Sequence, residues 1–183
     1  VGGGKALCRR GIDWQRAREF GVLFWLNCAL GLVLNLLSFE HVAVVVLADT
    51  FGLDETTASS YSSILYAVAL PVGPVVGVLI SLYGLRAVLN GLCSVLFIVA
   101  HVLLVFPAVN PAVALALHGA ATVTMFTTTP ATVALLLPPS LHGTGFGILN
   151  GVYQIGELTS VLAWGALYDA TRTPLAGQLF FVS

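Results

Sequence analysis

The sequence predicts an all-α, polytopic membrane protein: a helical bundle of about five transmembrane helices plus the start of a sixth. Three observations predict it. Of 183 residues, 58% are hydrophobic and only 8% are charged, whereas about a quarter of an ordinary soluble domain is charged. Residues 56–85 and 87–156 contain no Asp, Glu, Lys or Arg. The apolar runs, such as 42–47 and 95–99, are continuous and lack the apolar–polar alternation of a spanning barrel. A water-soluble domain of this length needs a polar shell that this composition cannot supply. A cytosolic enzyme, a disulfide scaffold and a disordered tail are therefore excluded. Seven basic and eight acidic residues give a net charge of −1, with no general attraction for nucleic acid.

Each crossing of the hydrocarbon core takes about 20 mostly apolar residues. Polar and Pro/Gly punctuation divides the chain into spans at about 20–48, 61–83, 87–106, 112–137 and 143–168, and another starts at about 175. Residues 1–19 read as a cytoplasmic basic linker ahead of a transmembrane half-bundle over 20–183. Lys5, Arg9, Arg10, Arg16 and Arg18 lie there, and positive flanks stay cytoplasmic. The same cations also suit anionic lipid headgroups. The next loop carries Asp49, Asp54 and Glu55 without a base, which places it on the far side. Asp54 stands where it can cap the helix that opens Glu55-Thr56-Thr57. Arg86 returns the chain to the cytoplasmic face, and the loops near Asn110 and Asp169 then face outside or into a lumen. The chain opens on Val1 and stops in the apolar run 179–182, which reads as a fragment cut at both ends.

Ionisable and large polar groups in lipid are costly, so each one is a functional candidate. In the fifth span Asn150, Tyr153, Gln154 and Glu157 are spaced at three, four and seven residues and share one helix face. Two readings stand side by side. The stripe lines a water-filled solute path, or it is interhelical hydrogen-bonding glue. Asn35 and Glu40 of the first span complete the set of cavity-lining, substrate-binding candidates. Glu40 with His41 forms a proton-sensitive pair, and a carboxylate at this depth suits either a solute's amino group or a carried proton. His101 and His118 read as structural. Gly143, Gly147 and Gly151 repeat every four residues, a row that admits another backbone. Threonines crowd Pro130 in the fourth span, where hydroxyls can repair a proline kink.

Enzyme signatures are missing. There is no HExxH and no GxSxG, and Gly143-Thr-Gly145-Phe-Gly147 lacks the third glycine of a nucleotide loop. Lys5 is the only lysine, so no span can carry a Schiff base. Cys8, Cys28 and Cys93 have neither pair nor metal spacing. The sequence assigns no catalytic residue, no metal and no cofactor.

Gly77-Val-Leu-Ile-Ser81-Leu-Tyr-Gly84-Leu-Arg86 resembles the GxxxDxxGR/K loop of the major facilitator superfamily, which joins the second and third helices of each six-helix half. Ser81 stands where that motif has Asp, so the gating attributed to that acid is not carried over to it. Gly77, Gly84 and Arg86 are the gating-loop residues this likeness implies. His142 to Gly147, continuing to Asp169, is similar to that superfamily's glycine-rich eleventh helix. Leu65-Tyr66, Pro71-Val-Gly-Pro74, Ala100-His101, Asn110-Pro111, Leu137-Pro138 and Gly143-Thr144 resemble its lysosomal dipeptide transporter branch, the "domain-containing protein 1" type.

The resemblance implies the carboxyl-terminal half of a twelve-helix fold and alternating access. It implies secondary active or facilitative transport of small organic solutes, dipeptides or amino acids, across a lysosomal or vacuolar membrane rather than the plasma membrane. The partners implied are the solute, the lipid bilayer, the amino-terminal half of the same chain and, as a further candidate, an accessory membrane subunit. A non-transporting assembly factor or receptor on the same fold is the alternative.

Overall fold

The computed structural model describes residues 20–37, 39–106 and 108–173. The basic segment 1–19 and the span expected from about 175 lie outside the described residues. Every regular element among the described residues is helical: α1 (Val22–Leu36), α2 (Ala43–Phe51), α3 (Glu55–Ser62), α4 (Ile64–Tyr83), α5 (Arg86–Val105), α6 (Pro111–Leu136), a 3-10 turn at Pro139–Leu141, and α7 (His142–Thr171). By length and composition, Glu55–Tyr83, Arg86–Val105 and Pro111–Leu136 are long and apolar enough to cross a membrane.

Local chemistry sets the helix ends. Asp54 accepts the Thr57 amide N–H at 3.1 Å and caps α3. The Thr57 hydroxyl and this amide together favour the ionised carboxylate and hold its pKa below the ordinary value. Asn110 accepts the Ala112 N–H at 2.9 Å, and Pro111 begins α6 where its missing donor costs nothing. Gly84 closes α4 at φ 65°, the left-handed conformation that glycine adopts freely. Its carbonyl then accepts the Arg86 N–H at 2.8 Å as α5 begins.

The stretch 20–48 is not one helix. α1 stops at Leu36 and α2 begins at Ala43. The Leu37 carbonyl accepts from His101 Nε2 of α5 at 2.8 Å and from His118 Nε2 of α6 at 3.5 Å. Phe39 packs edge-on against both imidazoles, with ring centroids 5.3 and 4.6 Å away. Phe39, His101 and His118 are all fully buried. Irregular backbone at membrane depth is tolerated only where protein satisfies it, and two histidines from neighbouring helices do so here.

α5 and α4 pack on α6, and α1 packs on α7. Glycines make the closest approaches. A Cβ at Gly119 would lie 2.3 Å from the Leu65 carbonyl oxygen, and one at Gly156 would lie 2.8 Å from that of Leu32. A Cβ at Gly31 would strike the Tyr153 ring at 2.5 Å. The row Gly143, Gly147 and Gly151 meets nothing within 4 Å, so no described backbone packs on it.

Polar stitches cross the core as well. Asn27 donates to the Thr129 carbonyl at 3.2 Å, and the Asn90 side chain meets the Thr128 hydroxyl. The threonines near Pro130 donate back to carbonyls of Ala120, Val123, Thr124, Met125 and Thr128. None of these five is the carbonyl of Phe126, the one that Pro130 leaves open. The outward faces stay apolar, with Leu70, Val78, Leu82, Val88, Val95 and Leu162 exposed. A surface as greasy as its core is what lipid requires of a bundle.

Candidate solute site

The α1–α2 break places Glu40 and His41 beside α4, α6 and α7. Glu40 Oε2 accepts from the Tyr66 hydroxyl of α4 at 3.3 Å, and the Thr122 hydroxyl of α6 also reaches Glu40. Thr122 Oγ1 lies 3.3 Å from His118 Nδ1. Because His118 Nε2 donates to Leu37, its Nδ1 accepts, and the single Thr122 proton goes to either the histidine or the carboxylate. His41 Nε2 pairs with Glu157 Oε1 of α7. Glu157 Oε2 accepts from Gln154 Nε2 at 3.3 Å. Glu40 and Glu157 are within electrostatic range of each other. A cavity of about 200 Å³ opens beside Glu40, lined also by Leu65, Tyr66, Gly119, Thr122 and Phe126.

The structure sorts the residues that the sequence singled out. Glu40, Gln154 and Glu157 come together, with His41 between the carboxylates. Asn150 is exposed on α7 one turn from Gln154. Tyr153 is buried; its ring packs on Gly31 and lies 5.5 Å from Phe126. Its hydroxyl lies beside Thr129 but meets no partner at hydrogen-bonding geometry. Asn35 is buried too, donating to the Gly31 carbonyl at 2.8 Å and to Met125 Sδ at 3.7 Å. It sits in the α1–α7 seam against Gly156, apart from the open cavity.

Tyr66, Thr122 and Phe126 were not marked as site residues by sequence reasoning. Thr122 follows His118 by one helical turn, a polar i, i+4 pair that could have drawn attention. Tyr66 and Phe126 are aromatic residues in apolar runs and carry no such signal. Gly84 and Arg86 form the α4–α5 turn, while a Cβ at Gly77 would meet nothing within 4 Å. Ser81, at the motif's acidic position, is exposed. A larger groove of about 720 Å³ lies near that turn, lined by Leu23, Asn27, Arg86, Asn90 and other residues. Its walls are mostly apolar side chains on the outer face of the bundle.

A helical bundle with a lipophilic exterior, a broken first span and a carboxylate at a cavity between helices defines the class as a polytopic membrane protein. The chain belongs to the Major Facilitator Superfamily, whose sequence profile matches residues 23–182. It is similar to the "Lysosomal dipeptide transporter MFSD1" of Bos taurus, 25% identical over 169 residues, covering 91% of this chain and 36% of that protein. The protein of the same name from Gallus gallus is 26% identical over 167 residues, covering 90% of this chain and 37% of the relative. That of Homo sapiens is 26% identical over 170 residues, with 91% and 36% covered. The chain thus spans little more than a third of the length of these relatives.

Proposed function

We propose that this chain supplies the carboxyl-terminal half of a transporter that moves small organic solutes by alternating access. The solute class is dipeptides or amino acids and the membrane is lysosomal, in keeping with the names of its relatives. One observation carries the reading: a mostly apolar bundle gathers Glu40, Tyr66 and Thr122 at one cavity, with the linked group His41, Glu157 and Gln154 within electrostatic range of Glu40. Glue between helices needs one or two hydrogen bonds. Two carboxylates with an imidazole exceed that need, and ionisable groups persist in membranes where they serve a pathway. Asn150 and Gln154 extend the polar face along α7, and Tyr153 backs it. In this reading residues 1–19 are a cytoplasmic linker, and Gly77, Gly84 and Arg86 belong to the cytoplasmic gating loop. The amino-terminal half rocks against this one about a midplane site.

The test is Glu157→Gln in the full-length protein, with solute uptake into proteoliposomes as the readout. The variant leaves His41 without its carboxylate and is expected to lower uptake by about tenfold, equivalent to about 1.4 kcal/mol. Unchanged rate, affinity and pH profile would remove Glu157 from the mechanism. Ser81 favours a second reading, a non-transporting receptor or assembly factor, because the motif's acid is missing. In that case solute binds without crossing, and uptake is nil for the wild type too.

A further inference from the structure

We propose that the cavity beside Glu40 is a subsite for the protonated amino group of the solute. Glu40 is its counter-ion, and Tyr66 and Phe126 form its aromatic walls. The inference rests on the reading that this face lines a solute path, and it assigns the two carboxylates different tasks.

Glu157 already has a basic partner in His41 and an amide donor in Gln154. Among the described residues Glu40 meets two hydroxyl donors, Tyr66 and Thr122, Thr122 shares its proton with His118, and the nearby His41 is paired with Glu157. The two arginines among the described residues are remote. Arg86 lies in the α4–α5 turn, and Arg172 ends α7 3.7 Å from Asp169. An ionised carboxylate away from bulk water is costly without a cation. Among the described residues the two carboxylates have a single imidazole between them, His41, and Glu157 holds it, so the charge that balances Glu40 comes from what enters the cavity.

The cavity's size and walls agree. At about 200 Å³ it is smaller than the roughly 300–1,000 Å³ of sites that enclose a drug-sized ligand. It accommodates one end of a solute. Tyr66 and Phe126 line it, and aromatic rings attract an ammonium group. Gly119 sets the floor, because the α4 backbone presses against it with no room for a Cβ. A carboxylate-bearing end is excluded by Glu40 itself, since like charges at this depth repel strongly.

The experiment uses the purified full-length protein and two probes, alanyl-alanine and N-acetyl-alanyl-alanine, which differ in whether the amino group can be charged. Isothermal titration is expected to give at least tenfold weaker binding for the acetylated probe. Glu40→Gln should erase that preference by weakening alanyl-alanine alone. Phe126→Leu leaves the carboxylate in place and should reduce the preference severalfold, which keeps the test open if Glu40→Gln fails to fold. Equal binding of the two probes, no binding of either, or an undiminished preference in folded Glu40→Gln overturns the subsite. Proteoliposome uptake separates this result from the transport reading. Amine-selective binding without uptake upholds the subsite and overturns transport. Uptake indifferent to acetylation overturns the subsite and leaves transport standing.

Discussion

Glu40 and Glu157 carry the same functional group within electrostatic range of each other, yet they have different neighbours. Glu157 faces an imidazole and Glu40 faces hydroxyls. Both were legible in the sequence, because a carboxylate in a long uncharged stretch stands out. Their division of labour was not, since it depends on residues far away in the chain. Asn35 shows the converse. Its residue type marked it as a cavity group, but its amide is consumed by the Gly31 carbonyl and Met125. Glycine poses the same difficulty. The evenly spaced Gly143, Gly147 and Gly151 face open space, while the isolated Gly119 touches backbone. Gly119→Ala sets a Cβ against the Leu65 carbonyl, which cannot swing aside as a side chain can. It is expected to destabilise the protein by about 1–3 kcal/mol, the range for overpacking, measured as a lowered Tm in detergent.

At the scale of the element, the break between α1 and α2 organises the site. A continuous helix over 20–48 would carry Glu40 and His41 on its own turn and keep the Leu37 carbonyl for itself. Instead that carbonyl is held by His101 and His118, and the loosened segment delivers Glu40 to the cavity and His41 to Glu157. The Thr122 hydroxyl then links His118 to Glu40, so the groups that hold the break open are one proton away from the site. His101→Leu keeps the volume and removes the donor. The Leu37 carbonyl then keeps the longer bond from His118, so the loss is expected to cost about 0.5–1.5 kcal/mol, and His101→Gln, which still has an N–H to offer, should recover part of it. Thermal unfolding in detergent measures both. The sequence offered a polar interruption near Glu40 but no sign of a break, because the cause lies on two other helices. The bounds of α4 and α5 were easier to read, since Gly84 and Arg86 announce their turn locally.

At the scale of the whole molecule, apolar residues cover most of the outside among the described residues, and polar residues gather in the seams, at the cavity beside Glu40 and along one face of α7. α7 presents Asn150 and Gln154 away from the described helices, on the side where the proposed rocking partner would meet it. Single cysteines at Asn150 and Gln154, in a full-length background cleared of native cysteines, test that placement. A water-soluble thiol reagent is expected to reach both from one side of the membrane, and saturating alanyl-alanine should change the rate severalfold. Protection of both positions from both sides in every condition would make the stripe interhelical glue.

The sequence by itself determined the solvent, the helical class, the approximate count of spans and the family. Each of these follows from composition, periodicity or a local motif, which a one-dimensional string records. Only the tertiary structure decided that the first span is broken, that His41 answers Glu157, and that Glu40 shares a cavity with Tyr66, Thr122 and Phe126. Those outcomes depend on which helix faces lie together, and lipid, being equally indifferent to every apolar face, leaves that choice to packing at glycines and to a few buried hydrogen bonds.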